Sequence, residues 1–475
     1  MRRLDASAFQ SWIEKKKIAV VGAGISNRPL IRWLYRYNRN ISVFDQMEKD
    51  NQRLKSIISD FEAEDIRLEW SVGQDYLDRL TGFDLIFRTP IMRPDHPALQ
   101  RAGAEGAVIT SEMSLFLSLC PAHTTGITGS NGKTTTTTLI SELYESAGGE
   151  VWTGGNIGRP LLDQVFLMKE DDEVVVELSS FQLFDLVAQL DTAVITNTLP
   201  NHLDIHKDFD EYIAVKKNII KEQRPFDRLV LNYEDSISRG IAAEAKGEIV
   251  WFNHKDTYRG KSIFCEDDKI WFRSGADEAV SLLETRDIVL PGRFNVDNYM
   301  AAWGAVAGRI EPHNLREVAV SFKGVPHRME LVRELNDIRW YNSSIDSTPE
   351  RTITTLKTLY QQGRPIILIC GGRDKNLDYT ELGSVILDNV KKIIFCGENT
   401  PLIKKSIASA AQEKNIETES IEMHDASTYE EAVKLAADIA RPGYSVLLSP
   451  TGTSFDRFFN FEERGETFRH LVLEL

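Results

Sequence analysis

A short glycine-rich segment, TGSNGKT at 128–134, joins an apolar run to a helix-like run. Glycines let backbone N–H groups approach phosphate oxygens, and the start of a helix favours negative charge. Lys133 can reach the β- and γ-phosphates of a nucleotide, and the Thr134 hydroxyl can bind Mg²⁺. Five residues separate Gly126 from Gly132, whereas the common phosphate-loop motif has four. A plain glycine turn is the alternative, but the flanking strand and helix favour phosphate binding.

Several polar residues follow apolar strands in the same part of the chain. Glu177 ends the apolar run at 174–177, where an acid can hold Mg²⁺ through oxygen or simply cap a strand end. His202 and Asp204 follow the next strand, which ends near Asn197. Lys216 lies in a helical stretch at 210–217 and, by sequence alone, is a solvated lysine.

The N-terminal part has the layout of a Rossmann-type βαβ unit. A strand at 17–22 runs into a Gly22-x-Gly24 turn, and a second strand at 41–45 ends in Asp45. Asn27 replaces the third glycine of the fingerprint. The pattern favours a uridine nucleotide over a dinucleotide, with a purely structural turn as the remaining alternative.

Two further α/β regions follow, and together they predict an α/β protein of three domains. The second region contains strands at 124–128, 174–178 and 193–196, and the third contains strands at 365–370, 392–396 and 444–448. Strands that alternate with helical patterns predict mostly parallel sheets, with functional loops at their carboxyl ends. We expect domains at 1–111, 112–324 and 325–475: a Rossmann-like domain, a P-loop-type ATPase domain and a second Rossmann-like domain.

The bulk composition restricts the partners. With 475 residues and a formal net charge of -15, a general nucleic-acid or membrane-surface binder is disfavoured. No apolar stretch approaches a bilayer-spanning length of about 20 residues. The four cysteines are scattered and are expected to be free thiols, mostly buried. We expect a monomeric cytoplasmic enzyme with no nucleic-acid or membrane partner.

Short motifs along the whole chain resemble those of the Mur ligase and folylpolyglutamate synthetase superfamily. In order they are GSNGKT at 129–134, GGNIG at 154–158, ELSSFQ at 177–182, NHLD at 201–204, GRFNVDN at 292–298, PHRME at 326–330, GGRDK at 371–375, SP at 449–450, SFD at 454–456 and NFEERG at 460–465. The resemblance implies an ATP-dependent amide-bond ligase of peptidoglycan precursor synthesis. Its implied substrates are ATP, D-glutamate and UDP-N-acetylmuramoyl-L-alanine, and its implied products include ADP and phosphate, through an acyl phosphate. A related ligase with another acceptor amino acid, or with folate, is the alternative.

The resemblance also implies roles for individual residues. The catalytic residues are Lys133, His202, Lys216 and Lys375. ATP is bound by Gly129, Ser130, Asn131, Gly132, Lys133, Thr134, Thr135, Asn295, Asn298, His327 and Arg328. The UDP-linked substrate is bound by Ile25, Ser26, Asp45, Thr89, Asn156, Ser179 and Gln182, and the amino acid by Ser347, Arg351, Ser454 and Phe461. Two Mg²⁺ ions are held by Thr134, Glu177, His202 and Lys216, the last carbamylated by CO₂, with Lys217 as the alternative lysine.

The chain departs from the family pattern in the amino-acid pocket. Ile345 stands where the family has a lysine, so another cation must hold an acidic amino acid. A capping box at 347–350 with Arg351 beside it predicts an anion site at a helix start. The alternative is a plain helix cap with a solvated arginine. Ile91 replaces a family glycine after Thr89-Pro90. A nicotinamide-dependent dehydrogenase, and a nucleotide-binding protein without ligase activity, are the rival functions.

Overall fold

The computed structural model describes residues 6–24, 26–158, 160–202, 205–290, 292–374, 377–415 and 421–475. Three of the residues singled out above, Ile25, Asp204 and Lys375, lie outside these ranges. The chain divides into two compact units, one formed by Met1–Thr285 and Val296–Val318, the other by Arg286–Asn295 and Ala319–Leu475. Helices alternate with largely parallel sheets in both units, which confirms the predicted α/β class.

The first unit begins with a five-stranded parallel sheet in the order β3-β2-β1-β4-β5. Its strands are β1 (Ile18–Val21), β2 (Ile41–Asp45), β3 (Glu69–Val72), β4 (Leu85–Phe87) and β5 (Val108–Thr110). Its helices are α1 (Ala6–Ile13), α2 (Asn27–Tyr35), α3 (Gln52–Ala63) and α4 (Pro97–Ala104). All four residues of β1 are buried, as expected for a central parallel strand covered on both faces. The strand order changes direction at β1, because β2 and β3 follow on one side of it and β4 and β5 on the other. In sheets of this kind, ligands bind at the carboxyl ends of the strands beside that point.

The same unit contains a nine-stranded sheet in the order β14-β13-β12-β11-β10-β9-β6-β8-β7. Its strands are β6 (His123–Thr128), β7 (Val151–Gly155), β8 (Glu173–Glu177), β9 (Thr192–Ile195), β10 (Arg228–Asn232), β11 (Glu248–Asn253), β12 (Ser262–Glu266), β13 (Lys269–Arg273) and β14 (Val280–Glu284). The accompanying helices are α5 (Glu112–Leu119), α6 (Lys133–Ser146), α7 (Ser180–Leu183), α8 (Phe209–Lys217) and α9 (Ser236–Ala242). They are followed by α10 (Arg293–Val306) and α11 (Pro312–Ser321), most of whose residues are assigned to this unit. The pairing is parallel except for β13 with each of its neighbours.

The second unit contains a six-stranded sheet in the order β15-β16-β20-β17-β18-β19. Its strands are β15 (Glu330–Leu335), β16 (Ile338–Asn342), β17 (Ile366–Cys370), β18 (Val390–Phe395), β19 (Glu422–Asp425) and β20 (Ser445–Leu448). Its helices are α12 (Pro349–Tyr360), α13 (Thr380–Asn389), α14 (Thr400–Lys414), α15 (Tyr429–Ile439) and α16 (Phe461–Glu474). Among the described strands of this sheet, β15 and β16 pair antiparallel and the other pairs are parallel, so most of the loops at the carboxyl ends gather at one edge.

The structure confirms the expected free thiols. All four cysteines are free, with Cys120, Cys370 and Cys396 buried and Cys265 half-buried. In the described ranges, no helix combines the length and apolar character needed to cross a membrane.

Candidate active site

The phosphate loop connects β6 to α6, and two of its glycines lie where a side chain would collide. Gly132 precedes the first residue of α6 with φ 80°, a left-handed conformation that favours glycine. A Cβ there would also collide with Asn298 Oδ1, and a Cβ on Gly129 would collide with Thr196 Oγ1. The loop therefore packs closely against β9 and α10, which keeps its backbone in one conformation.

The residues after β9 hold the loop by hydrogen bonds. Ser130 N donates to Asn197 O (2.9 Å), and Asn131 N donates to Asn197 Oδ1 (3.0 Å). Ser130 Oγ donates to Leu199 O (2.7 Å) and lies 3.1 Å from the Tyr212 hydroxyl. The side chain and the backbone N–H of Ser130 are thus both hydrogen-bonded within the protein.

Lys133 and Thr134 lie at the start of α6. Lys133 Nζ folds over the loop and donates to the carbonyl oxygens of Gly129 (2.9 Å) and Ser130 (3.1 Å). Thr134 Oγ1 donates to Glu177 Oε2 (2.7 Å), and Asn156 Nδ2 donates to Glu177 Oε1 (2.8 Å). Glu177 is 2% exposed. The structure thus brings together Thr134, Glu177 and Asn156, which the sequence placed at three separate motifs.

Lys216 is the residue for which sequence alone was most misleading. It is 1% exposed, so the solvated-lysine interpretation is wrong. Its Nζ donates to Gly129 O (3.0 Å) and Thr128 Oγ1 (3.4 Å), and lies 4.5 Å from the centre of the Tyr212 ring. Burial, together with the positive charge of Lys133, lowers the pKa of Lys216 well below its ordinary value. The alternative Lys217 instead pairs with Glu244 on the surface (2.6 Å), so the geometry favours Lys216.

His202 lies in the loop after β9, and a second histidine lies beneath it. His202 has φ 55° and packs edge-on against Phe181, with 5.0 Å between the ring centres. His206, not singled out from the sequence, is buried, stacks on Phe184 at 4.9 Å and places Nε2 3.0 Å from Ser180 Oγ. The feature of the sequence that could have identified His206 is its position four residues after His202.

The metal prediction can be tested by the donor chemistry of this cluster. In the ranges that the structure describes, no three His, Cys, Asp or Glu side chains are grouped as a metal cage. Mg²⁺ seldom uses such a cage, because it keeps several waters and takes one or two carboxylates plus phosphate oxygens. The Thr134 hydroxyl and the buried Glu177 carboxylate are hard oxygen donors beside the phosphate loop. They fit Mg²⁺ bound together with a nucleotide.

The predicted uridine-site residues lie at the carboxyl ends of β1, β2 and β4. Asp45 accepts hydrogen bonds from Ala23 N (2.7 Å) and Met47 N (3.0 Å), so its carboxylate shapes the glycine turn. Thr89 packs on that turn, where a Cβ on Gly22 would lie 3.2 Å from Thr89 Cβ. Asn27, in place of the third glycine, donates through Nδ2 to Val21 O (3.0 Å) and Gly22 O (2.9 Å).

A cavity in the first unit adjoins these residues and the predicted substrate path. Its lining includes Ser26, Arg88, Glu112, Gly155 and Gln182. Ser179 and Gln182 form the capping box of α7, with Ser179 N (3.0 Å) and Oγ (2.9 Å) donating to Gln182 Oε1. These two predicted substrate-binding residues therefore also have a structural role. Glu112 was not singled out from the sequence.

The remaining predicted ATP residues are distributed over both units. Thr135, Asn295 and Asn298 are buried, and Asn298 Oδ1 accepts a hydrogen bond from Thr136 Oγ1 (3.3 Å) behind the phosphate loop. In the second unit, His327 is buried, and its ring Nδ1 lies 3.1 Å from Asn342 Nδ2. The backbone N–H of His327 donates to Glu330 Oε2 (2.9 Å). Arg328 beside it is half-buried.

The predicted capping box at 347–350 is wrong. Helix α12 begins at Pro349, its N-cap is Thr348 with φ -141° and ψ 154°, and no side-chain hydrogen bond from Thr348 caps it in the described structure. The reason is Pro349: proline favours the first helical position and keeps the preceding residue extended. The helix therefore starts one residue later than a box beginning at Ser347 requires. Arg351 Nη1 donates to Ile345 O (3.0 Å) at the exposed side of this start.

Arg464 is a buried cation in the second unit that sequence reasoning included in a motif without giving it a role. It is 1% exposed, and it donates to Ser344 Oγ (3.0 Å), Ser344 O (2.7 Å) and Gly452 O (3.1 Å). Ser344 Oγ in turn donates to Phe461 O (2.8 Å), and Ser454 is buried close in sequence to Gly452. Burial lowers the pKa of Arg464. Arg464 thus organises the loops that carry two predicted amino-acid-binding residues.

Comparison with known proteins agrees with this arrangement of nucleotide loop and sheets. Residues 127–306 match the Mur ligase middle domain, and residues 327–452 match the Mur ligase glutamate ligase domain. The chain belongs to the Mur ligase family, whose members are ATP-dependent ligases. This assignment replaces the dehydrogenase alternative.

Relatives with curated names match over nearly their whole length. A UDP-N-acetylmuramoylalanine–D-glutamate ligase of Acetivibrio thermocellus is 45% identical, covering 98% of this chain and 97% of that protein. A ligase of the same name from Clostridium perfringens is 41% identical, covering 98% and 99%. The UDP-N-acetylmuramate-alanine ligase of Thermotoga maritima has a similar structure, with a TM-score of 0.56 at 16% identity, covering 97% of this chain and 99% of that one. That likeness confirms the three-domain α/β fold.

Proposed function

We propose that this protein joins D-glutamate to UDP-N-acetylmuramoyl-L-alanine, using ATP and releasing ADP and phosphate, in peptidoglycan precursor synthesis. The observation that carries the proposal is the cluster at the ends of β6 and β8, where Thr134, Glu177 and Asn156 are hydrogen-bonded beside the phosphate loop and Lys216 is buried against it. The nearly full-length similarity to D-glutamate ligases supports the choice of substrates.

The reaction needs activation of a carboxylate. At neutral pH a carboxylate and an amine do not condense unaided, because the carboxylate has no good leaving group. Transfer of the γ-phosphoryl group of ATP to the alanine carboxylate forms a C–O–P linkage and releases ADP. The amine of D-glutamate then attacks the acyl carbon, phosphate leaves with the bonding electrons, and the nitrogen loses a proton. Catalysis of this kind rests on positioning and charge neutralisation.

The phosphate loop and Lys133 supply the first part of that neutralisation. Lys133 Nζ now donates to two loop carbonyl oxygens, and it would exchange them for phosphate oxygens when ATP binds. Thr134 and Glu177 would hold Mg²⁺, and His202 with carbamylated Lys216 would hold a second ion. When bound, Mg²⁺ would neutralise the charge that develops on the phosphoryl oxygens.

The environment of Lys216 supports its carbamylation. Its amine is buried against Gly129 O and next to the positive charge of Lys133. Loss of one proton from the ammonium group gives the neutral amine, which the lowered pKa favours. Addition of CO₂ to that amine forms an N–C bond and releases a second proton, so an anion replaces the cation. The negative charge of a carbamate would be balanced by Lys133 and by a metal ion. The positive charge of a buried ammonium group at Lys216 would instead be repelled by Lys133.

The predicted domains and the remaining assignments belong to the same proposal. Residues 1–111 would bind the UDP end of the substrate, 112–324 would bind ATP, and 325–475 would bind the amino acid. Lys375, outside the described residues, is proposed to approach the reacting phosphoryl group. The net charge of -15 supports the absence of a nucleic-acid partner. We place the enzyme in the cytoplasm, as a monomer.

One assay tests the function. The full chain with ATP, Mg²⁺ and UDP-N-acetylmuramoyl-L-alanine is given single amino acids, and phosphate release is measured. D-Glutamate should give the highest kcat/KM. Because Ile345 replaces the family lysine, lysine, meso-diaminopimelate and L-glutamate are the informative competitors. Preference for one of them would overturn the assignment of D-glutamate, and ATP turnover unaffected by any amino acid would overturn the ligase proposal.

A further inference from the structure

The cavity in the first unit contains a carboxyl group that its surroundings do not satisfy. Glu112, the first residue of α5, is 8% exposed, and within the described structure no group donates a hydrogen bond to its Oε1. The residue is not needed as the helix cap, since Ser111 Oγ accepts the hydrogen bond from Ser114 N (3.3 Å). A buried polar atom without a partner is costly, so this arrangement suggests a partner that binds from outside.

The cavity has a volume of about 20 Å³, enough for one oxygen-sized group, and its position indicates which part of a substrate can place such a group there. Ser26 and Arg88 come from the sheet that carries the predicted uridine residues. Gly155 and Gln182 come from β7 and α7 of the second sheet, and Gly155 precedes Asn156, which donates to Glu177 beside the phosphate loop. The cavity thus lies along the path from the nucleotide end of the substrate to the end that reacts.

The charges around the cavity restrict the chemistry of its ligand. Arg88 is fully buried and already paired with Asp185, and Asp163 on the short helix Leu162–Gln164 adds a negative charge near Glu112. A phosphate group is therefore disfavoured beside Glu112. A UDP-linked acylamino sugar carries no cation, so its amide and hydroxyl groups are the suitable partners.

We propose that Glu112 is a substrate-binding residue whose carboxyl group donates a hydrogen bond to an amide carbonyl oxygen on the acylamino sugar of the UDP-linked substrate. This inference rests on the proposed function, because it requires a substrate that carries such a sugar. It adds a specificity-determining residue between the nucleotide site and the phosphate loop.

The ionisation of Glu112 is consistent with a donor. Burial, with a smaller contribution from Asp163, raises the pKa of Glu112 to about 7. Below that pH the group is an acid that can donate to a carbonyl oxygen. Above it the group is an anion that cannot donate. Substrate affinity should therefore fall as the pH rises through 7.

The test compares binding of two ligands without ATP. Titration calorimetry at pH 6 and pH 8.5 would measure the Kd of UDP-N-acetylmuramoyl-L-alanine, and of UDP alone, for wild type, Glu112→Gln and Glu112→Ala. We expect the wild-type Kd for the full substrate to rise roughly 3- to 10-fold between the two pH values, the scale of one hydrogen bond. Glu112→Gln keeps a donor that does not ionise, so its affinity should stay high at both pH values. Glu112→Ala should bind weakly at both, and no variant should differ in its affinity for UDP.

Glu142→Gln is the matched control. The pKa of Glu142 is also raised, by partial desolvation and the nearby charge of Glu145, but this residue lies at the surface of α6 and is not among the residues that line the cavity. Its variant should behave as wild type. Wild-type affinity and pH dependence in Glu112→Ala would overturn the inference, as would an equal loss of affinity for UDP. If the alanine variant does not fold, a wild-type dependence of the Kd on pH in Glu112→Gln would overturn the inference instead. Failure of the wild-type protein to bind the full substrate would instead overturn the proposed function.

Discussion

Arg88 and Asp185 form a two-point ion pair that ties the five-stranded sheet to the segment after α7. Arg88 Nε donates to Asp185 Oδ2 (2.6 Å) and Nη2 donates to Asp185 Oδ1, while the Arg88 side chain is wholly buried. Its Nη1 also donates to the carbonyl oxygens of Thr89 (3.2 Å), Pro90 (3.0 Å) and Met92 (3.0 Å). One guanidinium thus holds the loop of a predicted uridine residue and lines the cavity with Glu112.

Replacing Arg88 should therefore destabilise the protein strongly. Arg88→Met leaves Asp185 and four carbonyl oxygens, those just named and that of Phe181, without their donor. Losing one partner of a buried pair costs about 3–5 kcal/mol. Arg88→Lys retains the charge without the two-point geometry and should have an intermediate effect. Urea unfolding measures the difference. Arg67→Met removes an exposed pair with Asp65 (3.6 Å) and should leave the midpoint unchanged. Equal midpoints for Arg88→Met and wild type would contradict this account.

Lys133→Ala should abolish turnover while the fold remains intact. The substitution removes the only positive charge of the loop at 128–134. Loss of one donor that stabilises the transition state lowers kcat by roughly 100- to 1,000-fold or more. Phosphate release and circular dichroism measure the two properties. Lys217→Ala, which removes a surface partner of Glu244, should keep near wild-type turnover. Ligation by Lys133→Ala at the wild-type rate would disprove the ATP-loop assignment.

Lys216 is expected to carry a carbamate in the active enzyme. ¹³C NMR after equilibration with ¹³CO₂ should show one carbamate signal that is absent from Lys216→Ala and present in Lys217→Ala. Lys216→Ala should lose activity and regain part of it with a short carboxylic acid, which supplies the missing anionic oxygens. Full activity of Lys216→Ala in buffer depleted of CO₂ would show that no carbamate is needed.

The strands and the phosphate loop could be predicted from the sequence because their signals are local. Apolar runs ending in glycines define β1 and β6, and their observed bounds lie within two residues of those expected. Burial of charged residues could not be predicted. No local pattern in the sequence distinguishes Arg88, Glu112, Lys216 and Arg464 from exposed charged residues, and the packing of several elements removes them from water. The sequence predicted the start of α12 one residue too early, because a capping-box pattern at 347–350 and a proline at 349 favour different starts. The backbone restriction imposed by Pro349 was the stronger of the two.

Stability should depend on pH through Glu112. Its pKa is raised from 4.5 to about 7 in the folded protein. Between these values the unfolded chain has lost the proton and the folded chain has kept it, so the free energy of unfolding falls as the pH rises. Above pH 7 both states are ionised, and the residue adds no further slope. Glu112→Gln should therefore gain about 3 kcal/mol over wild type between pH 4.5 and pH 8.

A residue with the opposite shift provides the control for this sign. Arg32 lowers the pKa of Glu64, so Glu64→Gln should be no more stable than wild type at pH 8. Thermal unfolding at the two pH values measures both variants. A constant difference between Glu112→Gln and wild type across this range would contradict the raised pKa.

The cation that holds the acidic amino acid is the remaining question in the second unit, and we expect it to be Arg351 at the start of α12. Ile345 cannot pair with a carboxylate, yet glutamate brings two, and burying either without a donor is costly. Arg351 Nη1 donates to Ile345 O (3.0 Å) from an exposed position, so it can turn to a ligand without leaving a buried charge behind. Arg464 is fully buried, and each of its three guanidinium nitrogens already donates to Ser344 or Gly452, so we do not expect it to turn to a ligand. Hydrogen bonds to charged groups contribute about 1.5–3 kcal/mol, so Arg351→Ala should raise the KM for D-glutamate roughly 10- to 150-fold. The KM for ATP should not change, and kcat should change much less if ground and transition states lose the contact equally.

Lys357→Ala, on the same helix and paired with Glu381 at the surface (3.2 Å), is the control and should leave the KM for D-glutamate, the KM for ATP and kcat at wild-type values. A wild-type KM for D-glutamate in Arg351→Ala would return Arg351 to the surface and leave the backbone N–H groups at the start of α12 as the candidate donors.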